Sequence, residues 1–240
     1  MQLTAIHTQL FHEREDLPAF IVHHIPCVQE GTILAVASKL LALWKGEIIP
    51  FQNAAQKEAF IKRESEWALQ TQLAWLTVKG GMVMTNAGID ESNANGKLLL
   101  LPPNIYECTT LLRRELQTKW RVKNLGLVIT DSMILPLRAG VIAGAVAYAG
   151  FNGVRDERGA KDLFGRELKV TLVNVADSLA TAAALEMGEG AERCPLCVVE
   201  KARVNFVDTV PPNEIKYPMK DDLYAPLFKA VGYTEKGEKE

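Results

Sequence analysis

Leu125-Gly126-Leu127-Val128-Ile129-Thr130-Asp131-Ser132 is an apolar run closed by a carboxylate that stands between two hydroxyls. A short continuous run of Val, Ile and Leu reads as a buried strand. A second such run is Gly31-Thr32-Ile33-Leu34-Ala35-Val36-Ala37, which follows a turn glycine and leads straight into Ser38 and Lys39. Residues 1–26 read as an edge strand, a charged loop and a helix that starts at Asp16. Residues 54–77 are charged and helical in period, with Phe60, Trp67 and Leu69 as the expected inward anchors. Gly80-Gly81 turns the chain into a strand over 82–85, and 86–95 is a loop rich in Asn, Gly and Asp. Lys97 to Leu101 is a short strand stopped by Pro102-Pro103, and Thr109 to Trp120 is a helix. Residues 153–167 are glycine-punctuated and densely charged, the pattern of a solvated loop that can also fold over a site. A strand over 168–175, a helix over 177–187 capped by Asp177 and ended by Gly188, and a strand over 197–200 complete the series. Alternating strands and helices predict a mixed α/β or α+β architecture.

The chain has 240 residues, 48% hydrophobic and 23% charged, which suits one soluble domain, or two interlocked subdomains, over 1–240. Residues 236–240 are expected to be a frayed tail. The formal net charge is −2, so general nucleic-acid binding has no electrostatic support and any phosphate site must be local. No basic start precedes an apolar core at Met1, and the apolar stretch 139–151 is shorter than the roughly 18–20 residues of a membrane span. A cytoplasmic protein without a membrane segment is expected. Cys194-Pro195-Leu196-Cys197 has metal or redox spacing, but no second close pair exists, and the reading here is two cysteines in a strand-like segment.

There is no Gly-x-x-x-x-Gly-Lys-Ser/Thr loop and no Gly-x-Gly-x-x-Gly after a strand. His7, His12, His23 and His24 support no nucleophilic triad, and Gly140 and Gly144 read as packing glycines. Three carboxylates remain: Asp90 in Asn86-Ala87-Gly88-Ile89-Asp90, Asp131, and Glu189 in Met187-Gly188-Glu189-Gly190. An Asp at a strand end is more often a cap or turn residue than a ligand. Here polar neighbours crowd Asp90, hydroxyls flank Asp131, and glycines clear the space around Glu189. Carboxylates of this kind hold hard divalent cations against phosphate oxygens, so the residues point to a Mg²⁺ or Mn²⁺ phosphate site.

At these residues the chain resembles the coenzyme F420-0:γ-glutamyl ligase family. The resemblance is carried by Asn-Ala-Gly-Ile-Asp-Glu-Ser-Asn at 86–93, Leu-Leu-Leu-Leu-Pro-Pro at 98–103 and Ile-Thr-Asp-Ser at 129–132. It continues through Lys-Asp-Leu-Phe-Gly-Arg-Glu-Leu at 161–168, Val-Ala-Asp at 175–177 and Met-Gly-Glu-Gly at 187–190. It implies an α+β fold of intertwined subdomains, a homodimer, and a cleft for nucleotide and two divalent metals. The implied activity joins L-glutamate to a cofactor acceptor through a γ-glutamyl amide, driven by GTP or ATP. Carried over by position, Asp90 and Asp131 would ligate one metal, and Ser132 (usually Thr in the family) with Glu189 the second. Asn93, Met187, Gly188 and Gly190 would touch the nucleotide. Ser38 and Lys39 match the start of a phosphate-side segment, and Lys39 and Arg138 are candidate charge stabilisers.

Two departures stand out. The family's Gly-Arg after the Thr-Asp-Thr segment is Ile134-Leu135 here, although Pro136 and Arg138 remain. The second Ser-Lys is replaced by Ala42-Leu43-Trp44-Lys45-Gly46, which loses one phosphate-side cation or displaces it to Lys45. Coenzyme F420-0 carries a phosphodiester that such basic residues would recognise. Folate also ends in glutamate and lacks that phosphate, so both acceptors stand as expectations. The rival readings are a catalytically weak nucleotide- or cofactor-binding protein and a metal-dependent phosphohydrolase.

Overall fold

The computed structural model describes residues 1–211 and 213–233 and shows an α+β protein. The expected tail at 236–240 lies outside the described residues. The elements run β1 (Gln2–Ile6), α1 (Leu17–His24), β2 (Thr32–Ala37), α2 (Ser38–Lys45), β3 (Ile48–Pro50), α3 (Ala54–Glu64) and β4 (Trp67–Gln70). They continue through β5 (Trp75–Lys79), β6 (Met82–Thr85), β7 (Lys97–Leu99), α4 (Ile105–Trp120), β8 (Leu125–Met133) and β9 (Ile142–Ala149). Then follow β10 (Val154–Asp156), β11 (Leu172–Asn174), α5 (Val175–Met187), β12 (Leu196–Glu200) and α6 (Ala225–Ala230).

The main sheet has the order β1-β12-β2-β8-β9, with β2 and β8 parallel and the other pairs antiparallel. β2 and the first six residues of β8 are almost wholly buried, because helices cover both faces of the sheet. Side chains alternate across a strand. Leu34, Val36, Leu127 and Ile129 therefore pack with Leu17 and Phe20 of α1 and Leu112 and Leu116 of α4. Ile33, Ala35 and Val128 face the opposite way, onto Leu179, Ala180 and Ala183 of α5. The small residues of α5 let that helix lie close on the sheet. Asp16 caps α1 by accepting a hydrogen bond from the Ala19 amide at 2.9 Å, as its position ahead of an apolar run predicts.

Three expectations are corrected. Residues 54–77 are not one helix: α3 stops at Glu64, and Trp67–Gln70 pairs antiparallel with Trp75–Lys79. The side chain of Thr71 closes the turn by donating to the Ala74 carbonyl at 2.6 Å. Aromatic and branched residues can serve either element, and pairing with β6 decides the matter here. Phe60 packs beside Ile61, as an anchor should, but Trp67 packs on the small sheet against Val78, and Leu69 is exposed. The expected strand over 168–175 is ordered as a strand only at Leu172–Asn174. Asn174, not Asp177, caps α5, accepting from the Asp177 amide at 3.0 Å. The Asp177 carboxylate instead accepts from the Ala145 amide of β9 at 2.8 Å and so ties α5 to the sheet.

Arg113 of α4 is buried and donates through Nε to the Leu125 carbonyl at 2.7 Å. Gly150 sits over this bond at φ +90°, where an added Cβ would overlap both the Leu125 oxygen and Arg113 Nε. Gly150→Ala is therefore expected to destabilise the protein by about 3 kcal/mol or more. A urea titration of the two proteins would read this, and a midpoint unchanged from wild type would contradict the packing described.

Candidate active site

The site begins where the two parallel strands end. Ala37 of β2 pairs with Thr130 of β8, so Ser38, where the chain leaves β2 for α2, stands beside Asp131, which stays in β8 paired with Gly144 of β9. The ends of parallel strands form a crevice, because the connections there diverge. Ser38 opens α2 and is buried, and its hydroxyl donates to Asp131 Oδ1 at 3.1 Å. A register shift between Ile129 and Thr130 re-aims the strand just before this point. Neighbouring strand residues face opposite ways, so Ser132 turns to a different partner. Its hydroxyl donates to Glu189 Oε2 at 2.7 Å.

Glu189 follows α5. Gly188 makes the exit by adopting φ +80°, and a Cβ there would stand 2.5 Å from Glu192 Cδ. Asp90 arrives beside the two-stranded sheet of β3 and β7, where its backbone bridges to Leu99 of β7. Lys39 Nζ ion-pairs with Asp90 Oδ2 at 2.9 Å and donates to Ser92 Oγ at 2.7 Å. The Ser92 amide donates to Asp90 Oδ1 at 2.6 Å. Asn93 Nδ2 donates to the Gly190 carbonyl at 3.3 Å and so joins the Asp90 loop to the Glu189 turn.

The electrostatics of the carboxylates differ. Burial pushes the Asp131 carboxyl up to about 6; the Ser38 hydrogen bond opposes the shift, and the nearby Asp90 charge adds to it. Burial also pushes Asp90 up, but hydrogen bonds from Lys39 and the Ser92 amide outweigh it and hold that carboxyl below its usual range.

These groups line one cavity of about 550 Å³. Ser38, Lys39, Asp90, Asn93, Asp131 and Ser132 are on its wall. So are Met187, Gly188, Glu189 and Gly190. Arg138 is not among the lining residues; it is exposed on the β8–β9 loop, where its amide donates to the Leu135 carbonyl at 3.3 Å. Lys45 is absent from the wall too, with Nζ 3.4 Å from the centre of the Trp44 ring. Another part of the lining escaped the sequence reading. Thr8, Gln9 and Phe11 form it with Arg193 and Cys194, and the Thr8 amide donates to the Arg193 carbonyl at 2.9 Å. Arg193, three residues past Gly190, was the one signal in the sequence that could have revealed it.

Among the described residues, no three His, Cys, Asp or Glu side chains converge closely enough to hold one ion. The donor set nevertheless suits hard cations, since carboxylates and hydroxyls are the ligands such ions take. Burial at Asp131 is only partly offset by the Ser38 and Ser132 hydrogen bonds and the nearby Lys39 charge, and a bound cation would add positive charge there. Lys39 holds Asp90 by an ion pair that such a cation would compete with.

Comparison with known proteins places this arrangement. A family model described as F420-0:Gamma-glutamyl ligase matches residues 5–201. The "Coenzyme F420:L-glutamate ligase" of Methanocaldococcus jannaschii is 38% identical over 197 residues, covering 75% of this chain and 79% of that protein. The protein of the same name from Methanopyrus kandleri is 35% identical over 190 residues, covering 71% and 75%. That from Archaeoglobus fulgidus is 32% identical over 212 residues, covering 81% and 85%. The chain is thus a carbon–nitrogen ligase that forms a γ-glutamyl amide bond. It belongs to the F420-0:γ-glutamyl ligase family.

Proposed function

We propose that the cleft binds a nucleoside triphosphate, GTP or ATP, with two divalent cations, Mg²⁺ or Mn²⁺, and activates an acceptor carboxylate for attack by L-glutamate. The observation that carries this reading is that Asp90, Asp131 and Glu189 line one cavity together with Ser38, Lys39 and Ser132. The acceptor is coenzyme F420-0, the class named in the relatives, or folate. Folate is suggested by one observation: the segment after Ser132 presents exposed Ile134, Leu135 and Leu137 beside a single basic side chain, Arg138.

Asp90 and Asp131 would hold one cation, and Ser132 and Glu189 the other. When bound, the cations would neutralise the triphosphate and the charge that builds during transfer. The terminal carboxylate of the acceptor attacks the γ-phosphorus, and the bond to the bridging oxygen breaks. The nucleoside diphosphate leaves and an acyl phosphate forms. The glutamate amine then attacks the acyl carbon. Its C–N bond forms, the C–O bond to phosphate breaks, and the amine proton passes to solvent. Lys39 holds the Asp90 loop through Asp90 and Ser92, and a cation bound at Asp90 would leave its ammonium available to the phosphates. The chain mainly positions reactants and stabilises charge.

Leu163 and Phe164 are almost fully exposed between β10 and β11, which supports a surface for a second copy and hence the homodimer. Glutamate-dependent phosphate release tests the reading, because a phosphohydrolase would release phosphate without glutamate. Lys39→Ala is expected to raise KM for the nucleotide by about tenfold or more. Nucleotide titrations of both proteins would measure it, and an unchanged KM would remove Lys39 from the phosphate side.

A further inference from the structure

A second cavity, of about 690 Å³, lies between α5 and the start of β9. Ala143, Ala184, Gly188 and Glu189 line both cavities, so Glu189 stands on the wall they share. The second cavity looks polar by residue name, but its polar groups are already committed. Thr181 Oγ1 donates to the Ala143 carbonyl at 2.6 Å, and Ser178 Oγ to the Asn174 carbonyl at 2.6 Å. The Asp177 carboxylate accepts from the Ala145 amide at 2.8 Å and from Asn174 Nδ2 at 2.6 Å. Val141, Ile142, Ala182 and Leu185 supply the rest of the wall. Among the described residues that line it there is no lysine or arginine, and there are two carboxylates, Asp177 and Glu189.

We propose that this second cavity holds the body of the acceptor and selects a flat ring system without phosphate. The proposal rests on the ligase reading above. In that reading the nucleotide fills the first cavity, and the acceptor carboxylate must reach it past Glu189. The body of the acceptor then lies on the other side of that shared wall. The volume suits such a molecule, since ligand cavities run to about 300–1,000 Å³. A phosphodiester placed here would meet carboxylates and no cation, and a partly desolvated anion without a partner is costly. An uncharged ring system avoids that charge penalty and covers apolar wall. Leu185, 84% exposed, and Val141, 47% exposed, set this preference.

Leu185→Arg tests the proposal, because it places a cation on the wall and removes no buried side chain. The probes are tetrahydrofolate monoglutamate, which has no phosphate, and coenzyme F420-0, which has a phosphodiester. Each is titrated calorimetrically into the full chain with Mg²⁺ and a non-hydrolysable GTP analogue. Wild type is expected to bind the folate more tightly. Leu185→Arg is expected to weaken folate binding by about tenfold and to improve binding of coenzyme F420-0, with nucleotide affinity kept within about twofold. Three results would each overturn the proposal: tighter binding of coenzyme F420-0 by wild type, binding of neither probe, or acceptor affinities that ignore the substitution. If the substitution instead alters the mass seen by light scattering while acceptor affinities stay the same, the groove belongs to a second copy. A wild type that binds folate and responds to Leu185→Arg, yet never adds glutamate, would sink the ligase reading and leave the subsite standing.

Discussion

Asp131→Asn is expected to lower glutamate-dependent phosphate release by at least about 10³-fold while stabilising the metal-free protein. The two effects share one cause. Burial, opposed only partly by Ser38 and made worse by the nearby Asp90 charge, raises the Asp131 carboxyl to about 6. A carboxyl raised above its unfolded value binds protons more readily in the folded state. Stability is therefore full below the unfolded value near 4 and falls as pH rises through about 6. At pH 7 the ionised side chain costs the metal-free fold up to about 3 kcal/mol, and asparagine removes that cost. Divalent cation should reverse the order, stabilising wild type and not the variant. Thermal melts at pH 7 with EDTA and with Mg²⁺ would show it. A variant that keeps activity, or melts lower than wild type in EDTA, would contradict this role for Asp131.

Glu189→Gln is expected to cost about 10²–10³-fold in kcat/KM with little change in stability. The side chain is exposed and accepts a hydrogen bond from the Ser132 hydroxyl, which can donate equally well to an amide oxygen. Only the charge is lost. Glu189 also stands just past the C-terminal end of α5, where the helix dipole disfavours a carboxylate. A negative side chain kept at a negative helix end suits a position that faces a cation. Ser132→Thr should stay close to wild type, since the hydroxyl is retained. Parallel nucleotide and Mg²⁺ titrations of these variants would measure the effects. Wild-type kinetics in Glu189→Gln would remove that residue from the second metal position.

The readable parts of this chain were those in which one physical signal dominated. β2 and β8 are continuous apolar runs because helices cover both sheet faces, and their ends place Ser38 beside Asp131. Asp16 ahead of an apolar helix was equally plain. The stretch after Glu64 misled because Trp67, Leu69 and Trp75 also fit a helical period, and pairing among β4, β5 and β6 lies outside any local window. Asn174 and Asp177 are both good caps. The choice falls to Asn174 because Val175, Ala176, Leu179, Ala180 and Ala183 already lie on the buried face of α5. The cleft was legible on one side only. Thr8 and Gln9 reach it because β1 pairs with β12, which brings residue 8 to residue 193 across the whole length of the chain. Arg138, chosen by position in the sequence, lies on an exposed loop and does not line the cleft.

The most direct test of the central claim is a mass measurement on the product. Purified protein is incubated with GTP or ATP, Mg²⁺ or Mn²⁺, L-glutamate, and either coenzyme F420-0 or tetrahydrofolate monoglutamate. A gain of one glutamyl unit on an acceptor is expected, dependent on both nucleotide and metal and lost in Asp131→Asn. Glutamyl transfer that proceeds without nucleotide, or survives removal of every divalent cation, would contradict it.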